Sequence, residues 1–229
     1  MERDEHITPI DDRLLKAWDC YSRKQSFYLI KEYDAFASEL LGPIRPPLSH
    51  LHHCILSILR SSDDVSHIGW MLGVFVSAGY RFVPEEVIRY DLHTPEIHHL
   101  GYRLRGKHLV IDGTVGQSVG CEMIGALTVN GAAGKAAGLR MIGTFTNNGV
   151  LGDSPAECMR GVFSDNTGAI LRSPYPFLGI HNDRLEGIAA KEKAMFLHAI
   201  TNPGDLDYDE LDAHLRAYYG GAQNETARP

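Results

Sequence analysis

A fixed step of 18 residues runs through the middle of this 229-residue chain, and it limits the fold more than any other feature. Met123, Met141 and Met159 keep the step, and so do Gly125, Gly143 and Gly161. Gly113, Gly131 and Gly149 form a third column, and Gly116, Gly134 and Gly152 a fourth. Extended forward, the register places Phe177 in the Met column and Gly179 in the Gly column; extended back, with one extra residue, it places Leu104 and Gly106 there. Of the 23 glycines, 14 lie between Gly101 and Gly168, so the glycine excess belongs to the repeat. Recurrent glycine marks positions of close backbone approach or positive φ. The stretches between are short and β-prone: LVID, LTVN, FTNN, FSDN. A period of this size implies a solenoid with one coil per repeat. A strand-like circuit of that length traces roughly 60 Å, and stacked coils lie about 4.8 Å apart.

Strand alternation then assigns the columns. Strands are expected at about 108–112, 126–130, 144–148 and 162–166. Leu109, Leu127, Phe145 and Phe163 form an inward apolar ladder, and Leu104, Met123, Met141, Met159 and Phe177 a second one. Val110, Thr128, Thr146 and Ser164 point outward, with Thr128 and Thr146 exposed, and are the candidates for a protein interface. Asp112, Asn130, Asn148 and Asn166 make a polar column at the corner before the first glycine, where stacked Asn side chains can bond up the coil.

The flanks read as helical. Leu14, Trp18 and Tyr21, then Leu29, Tyr33, Phe36 and Leu40, make stripes of one long helix or two abutting ones, stopped by GPIRPP. A further helix spans about 48–59. Another, N-capped by Ser62-Asp63-Asp64, uses Val65, Ile68, Leu72 and Phe75, and Pro84-Glu85-Glu86 opens a short fourth. The chain thus divides into a helical cap at 1–100, coils at 101–184, C-terminal helices at 185–221 and a disordered tail at 222–229. The C-terminal helices use Leu185, Ile188, Met195 and Ala199, then about Asp209 to Tyr219. The fold class is α+β.

A net charge of −7 opposes phosphate-driven nucleic-acid binding. The most apolar run, IGWMLGVFVSAGY, is shorter than the about 20 residues that cross a bilayer. A charged N-terminus without an apolar targeting segment and four cysteines without a CxxC pair suggest a reducing cytoplasm. His50 and Cys54 share a helix face and are the best, though weak, metal candidates, with His98 and His99 as the source of further ligands. Asn130 to Ala136 lacks the first Gly and the final Ser/Thr of a phosphate loop. There is no nucleophile elbow and no paired Cys/His pattern. No cofactor, metal or catalytic residue is expected.

The spacing G-xx-G-xxx-G occurs as Gly113, Gly116, Gly120 and again as Gly131, Gly134, Gly138. Its third copy is Gly149, Gly152, with Ala156 in the last place. With the Met-x-Gly step, this resembles the C-terminal GXGXG β-helix domain of the glutamate synthase large subunit, a domain type that also forms a subunit of formylmethanofuran dehydrogenase. The resemblance covers about residues 101–185. It implies a short right-handed, single-stranded parallel β-helix that braces catalytic domains or subunits without chemistry of its own. This chain has fewer coils and one Gly, not two, after each Met. A rival solenoid is the left-handed hexapeptide helix of acyltransferases, because Leu109, Val115, Cys121, Leu127, Ala133, Leu139, Phe145 and Leu151 sit six apart until Glu157 breaks the row. Two functions follow. One is a non-catalytic structural or assembly subunit, working through a protein partner or as a homo-oligomer. The other is an enzyme or ligand-binding protein with a site where cap meets coil, near His98, His99 and His108.

Overall fold

The structure, a computed structural model, describes residues 8–24, 29–62, 65–167, 178–181 and 184–186. Four helices come first: α1 (Pro9–Ser22), α2 (Ile30–Leu41), α3 (Leu48–Ser61) and α4 (Val65–Tyr80). The two N-terminal stripes are therefore two helices. Thr8 and Asp11 form a reciprocal capping box that starts α1. Trp18, Tyr21, Tyr33 and Phe75 knit α1, α2 and α4 through ring contacts, with Trp18 edge-on to Phe75 at 5.5 Å. From Met71 to Tyr80 every residue of α4 is buried. That explains its all-round apolarity: the helix lies between the bundle and the coils, as fully apolar helices do in a large core. Among the described residues no helix is long and apolar enough to cross a membrane. The cap Asp63-Asp64 lies outside the described residues.

The coils are β1 (Val87–Tyr90), β2 (His93–Thr94), β3 (Arg105–Ile111), β4 (Thr114–Val115), β5 (Ile124–Val129), β6 (Ala132–Ala133), β7 (Ile142–Asn147), β8 (Val150–Leu151), β9 (Arg160–Asp165), β10 (Leu178–His181) and β11 (Arg184–Glu186). They form a long sheet β1-β3-β5-β7-β9-β10-β11 and a short sheet β2-β4-β6-β8. Every pairing is parallel except β10 with β11. The protein is a β-helix of 18-residue coils with N-terminal helices. It begins at Val87, not at 101: the stretch after Pro84, expected as a fourth helix, is the first coil, because Ile88 and Tyr90 face the core while Val87 and Arg89 face out. Leu109, Leu127, Phe145 and Phe163 stack in register and are at most 1% exposed. Leu104, Met123, Met141 and Met159 form the second inward ladder, all fully buried. Phe177 lies outside the described residues.

Three expectations need correction. Gly106 does not join the Gly column. The extra residue is a β-bulge between Arg105 and Lys107, so Lys107 pairs with Gly125. Pairing continues through Gly125, Gly143 and Gly161, so the long strands open before 108, 126, 144 and 162. Gly179 does pair with Gly161, but Leu185 and Glu186, expected to open a helix, lie in β11. The remaining expected C-terminal helices and the tail lie outside the described residues.

The third side of each coil is not a strand. Its residues alternate into the left-handed region: His99, Gly101, Arg103, then Ser118, Gly120, Glu122, then Ala136, Gly138, Arg140, then Ser154, Ala156, Cys158. The alternation points successive N–H groups up and down the stack. Ser118 donates to the Lys135 carbonyl at 2.7 Å, Gly120 to Leu100 at 2.8 Å, and Glu122 to Leu139 at 2.9 Å. Backbone donors on this side are thus paired between coils without a β-ladder. A coil with one long strand, one two-residue strand and one such turn is not three equal hexapeptides, although the six-step row does line the interior.

Candidate functional site

The chain's candidate chemistry lies at two places: where α3 and α4 meet the first coil, and along the corner between the two sheets. At the first, α4 approaches on a stripe of small residues, Gly69, Gly73 and Ser77. A Cβ on Gly69 or Gly73 would overlap the carbonyl oxygens of Glu96 and His98, so only glycine permits this approach. His98 N–H donates to the Gly69 carbonyl at 3.3 Å. The Ser77 hydroxyl accepts from Gly101 N–H at 2.7 Å and Tyr102 N–H at 3.2 Å, which locks the helix to the left-handed turn. Arg81, just past α4, donates to Asp34 at 2.7 Å, Ser38 at 2.9 Å and the Tyr102 carbonyl at 3.2 Å. Burial raises the Asp34 carboxyl above its ordinary range, and Arg81 opposes that shift. The stripe at steps of four was visible in the sequence as Gly-xxx-Gly-xxx-Ser, yet it was not singled out there.

The histidine candidates do not come together. His50 Nδ1 is 2.7 Å from Asp11 Oδ1. Burial works against the Asp11 charge, but hydrogen bonds from Thr8 and His50 outweigh it and hold this carboxyl below the usual range. Cys54 is buried, and burial pushes its thiol up to about 12. His98 Nδ1 accepts from Gln117 N–H at 3.1 Å, so that nitrogen carries no proton. His99 holds a left-handed φ of 58° and stacks edge-on to Tyr102 at 6.3 Å. Its Nδ1 is buried and without a partner among the described residues, and burial pulls its pKa down to about 4. His108 bonds sideways to Thr128 Oγ1 at 2.9 Å. Among the described residues no three His, Cys, Asp or Glu side chains are grouped to hold a metal. A second polar knot, His52 Nε2 to Tyr80 OH at 3.1 Å and Tyr90 OH to Thr94 Oγ1, closes the junction from the α3 side.

The corner column behaves as a ladder. Asn130 Nδ2 donates to Asp112 Oδ1 at 2.7 Å, Asn148 to Asn130 at 2.8 Å, and Asn166 to Asn148 at 2.6 Å. Arg89 donates to Asp112 at 2.9 Å and ends the row. This pair and the Asn130 bond hold the Asp112 carboxyl below its ordinary range. Just inside the corner, the column Ile111, Val129, Asn147, Asp165 turns from apolar to polar along the stack. Asn147 and Asp165 are buried, and Asn147 Nδ2 donates to Asp165 Oδ1 at 2.9 Å.

The proposed interface residues are less open than alternation suggests. Val110 is only 3% exposed, and Thr128, Thr146 and Ser164 are half-buried. The freely exposed apolar side chain of the coils is Val150, on the short sheet, at 69%. Gly113, Gly131 and Gly149 stack at the corner, where a Cβ would meet the carbonyl oxygen of the preceding coil. Gly116, Gly134 and Gly152 are crowded in the same way, by His98 or by backbone. Comparison with known proteins yields no matching family model, no matching curated protein and no matching solved structure.

Proposed function

We propose that this chain is a non-catalytic structural or assembly subunit whose β-helix braces a catalytic partner. By the GXGXG resemblance, that partner is a glutamate synthase-like enzyme or another multi-subunit oxidoreductase. One observation carries this reading. Among the described residues the candidate polar groups are spent on holding coil to coil or cap to coil, as in the Asp11–His50, Gln117–His98 and His108–Thr128 bonds. Support comes also from the short-sheet side, where the rigid Asn ladder runs beside exposed Val150. A flat surface with a fixed row of donors and acceptors suits protein contact. The test is purification of the tagged full chain from its native host, with mass spectrometry of what accompanies it. A catalytic subunit in fixed stoichiometry, lost with Val150→Arg, is expected. A strictly monomeric chain that retains no partner overturns the proposal.

A second reading, a ligand-binding protein with its site at the junction, is favoured by the buried, unpartnered His99 Nδ1. It requires ligand-dependent protection of the 96–103 backbone from hydrogen exchange, lost in His99→Asn.

A further inference from the structure

The outer face of the long sheet holds a contradiction that its own strands cannot resolve. Along β5 and β7 the inward side chains are Leu127 and Phe145, so Ile124 and Ile142 point outward by alternation, as does Val110 on β3. Yet Ile124, Ile142 and Val110 are 0%, 2% and 3% exposed. None of the three belongs to the buried cluster that joins the helices to the coil interior. Neighbours in the same sheet shield an outward side chain from the sides only; full burial needs a layer on top. The structure contains one chain, so that layer is part of this chain. The described helices pack chiefly on one another, and α4 on the turn at 96–102.

We propose that the outer face of the long sheet is roofed in cis by the acidic C-terminal segment, residues 187–221. Three facts select this occupant. The chain passes residue 186 in β11, the terminal strand of this same sheet, so residue 187 starts at its edge. The outer column reads Arg105, Ile124, Ile142, Arg160 across four coils, apolar in the middle and basic at both ends. The segment matches it: Leu211, Leu215 and Tyr218 recur at helical spacing, beside Asp205, Asp207, Asp209, Glu210 and Asp212. Four coils at about 4.8 Å span about 14 Å between the outer two, a distance that roughly ten helical residues cover. Residues 1–7 and 25–28 are too few to cover a column of that length. The roof is independent of the scaffold proposal, but it directs any docking in trans to the short sheet.

Hydrogen exchange by mass spectrometry on the full chain tests the roof. In the wild-type monomer, peptides within 188–219 should exchange at least roughly 100-fold more slowly than an unstructured chain. Ile142→Lys places a charge under the roof without entering the coil. It should bring those peptides to within a few-fold of the unstructured rate, while peptides from 105–115 keep their protection. The triple variant Asp209→Lys, Glu210→Lys, Asp212→Lys leaves the coils untouched and should weaken the same protection, so it decides the matter if Ile142→Lys fails to fold. Unstructured exchange of 188–219 in the wild type overturns the proposal. So does protection that survives the triple variant, or protection lost as a dimer is diluted, which would make the cover a second copy.

Discussion

Two glycines seven residues apart are required for different physical reasons, and replacing each by alanine should separate the reasons. At Gly131 the backbone conformation is ordinary, but a Cβ would lie roughly an ångström closer to the Gly113 carbonyl oxygen than real Cβ atoms come. The obstacle is backbone, so the two coils must part. The bonds at stake are Asn130 N–H and Gly131 N–H to the Ile111 carbonyl, at 2.8 and 3.0 Å, and Ala132 N–H to Gly113 at 2.9 Å. The Asn130–Asp112 rung at 2.7 Å goes with them. At about 1 kcal/mol net for each bond, Gly131→Ala should cost about 3–4 kcal/mol. Gly138 has φ +71°, and its Cβ would meet the edge of the Phe145 ring at 2.8 Å, a side chain that can shift. The third copy of this column is already an alanine: Ala156 sits at φ 55°, buried. Gly138→Ala should therefore cost only the left-handed penalty of about 1–2 kcal/mol. Urea unfolding by far-ultraviolet circular dichroism gives both values from the midpoints, provided the slopes agree. Equal costs at the two sites, or a cost at Gly131 under about 0.5 kcal/mol, would refute coil-to-coil contact as the reason for the column.

Adjacent asparagines should also differ. Asn148→Ala removes two exposed rungs and should cost under about 1 kcal/mol, whereas Asn147→Ala takes a buried donor from Asp165 and an acceptor from Gly149 N–H, and should cost about 2–3 kcal/mol by the same unfolding assay. His99 makes the protein acid-sensitive. Its folded pKa, about 4 by burial, lies below the ordinary 6.5, so the folded state binds the proton less readily; the stability from keeping it neutral is complete above 6.5 and is lost as pH falls through 4. His99→Asn tolerates the left-handed φ and should shrink the stability loss between pH 7 and 4.5 by roughly 2–3 kcal/mol relative to wild type; parallel pH profiles would exclude His99 as the cause.

The coil interior was legible because identical chemistry recurred at one spacing: Leu109, Leu127, Phe145 and Phe163 could take a single role, and so could Asp112, Asn130, Asn148 and Asn166. The first coil was not legible, because Val87 to Thr94 share the register but not the glycines. There Leu92 supplies the carbonyl that Gly113 packs on, and a carbonyl needs no particular side chain. The turns were hidden for a related reason. Left-handed φ was expected only at glycine, yet Ser118, Glu122, Ala136 and Arg140 adopt it, since hydrogen bonds to the coils above and below offset the steric cost. The outward columns failed for want of a layer. Alternation tells which way Val110 points, but not what lies over it. In the candidate site, each histidine's place was correct and its partner was not foreseeable, because Asp11 reaches His50 across 39 residues of sequence.

The two ends of the coil are closed by different means, and the difference bears on whether copies can stack. At the first end the seal is steric. Gly69 and Gly73 let α4 lie directly on the turn of the first coil, with Ser77 occupying the Gly101 and Tyr102 N–H groups. At the far end the seal is chemical and topological. The inward column passes from Ile111 and Val129 to Asn147 and Asp165, and the Asp165 carboxylate takes bonds from Asn147, Thr167 N–H and Thr167 Oγ1. A coil added in register above would set an inward side chain against a carboxylate, and an apolar one there pays desolvation without return. The chain then reverses, since β11 runs antiparallel to β10 and ends the parallel stack. An interior that changes from apolar to charged along its axis, finished by a strand of opposite direction, gives the solenoid a defined length and opposes end-to-end growth into fibres.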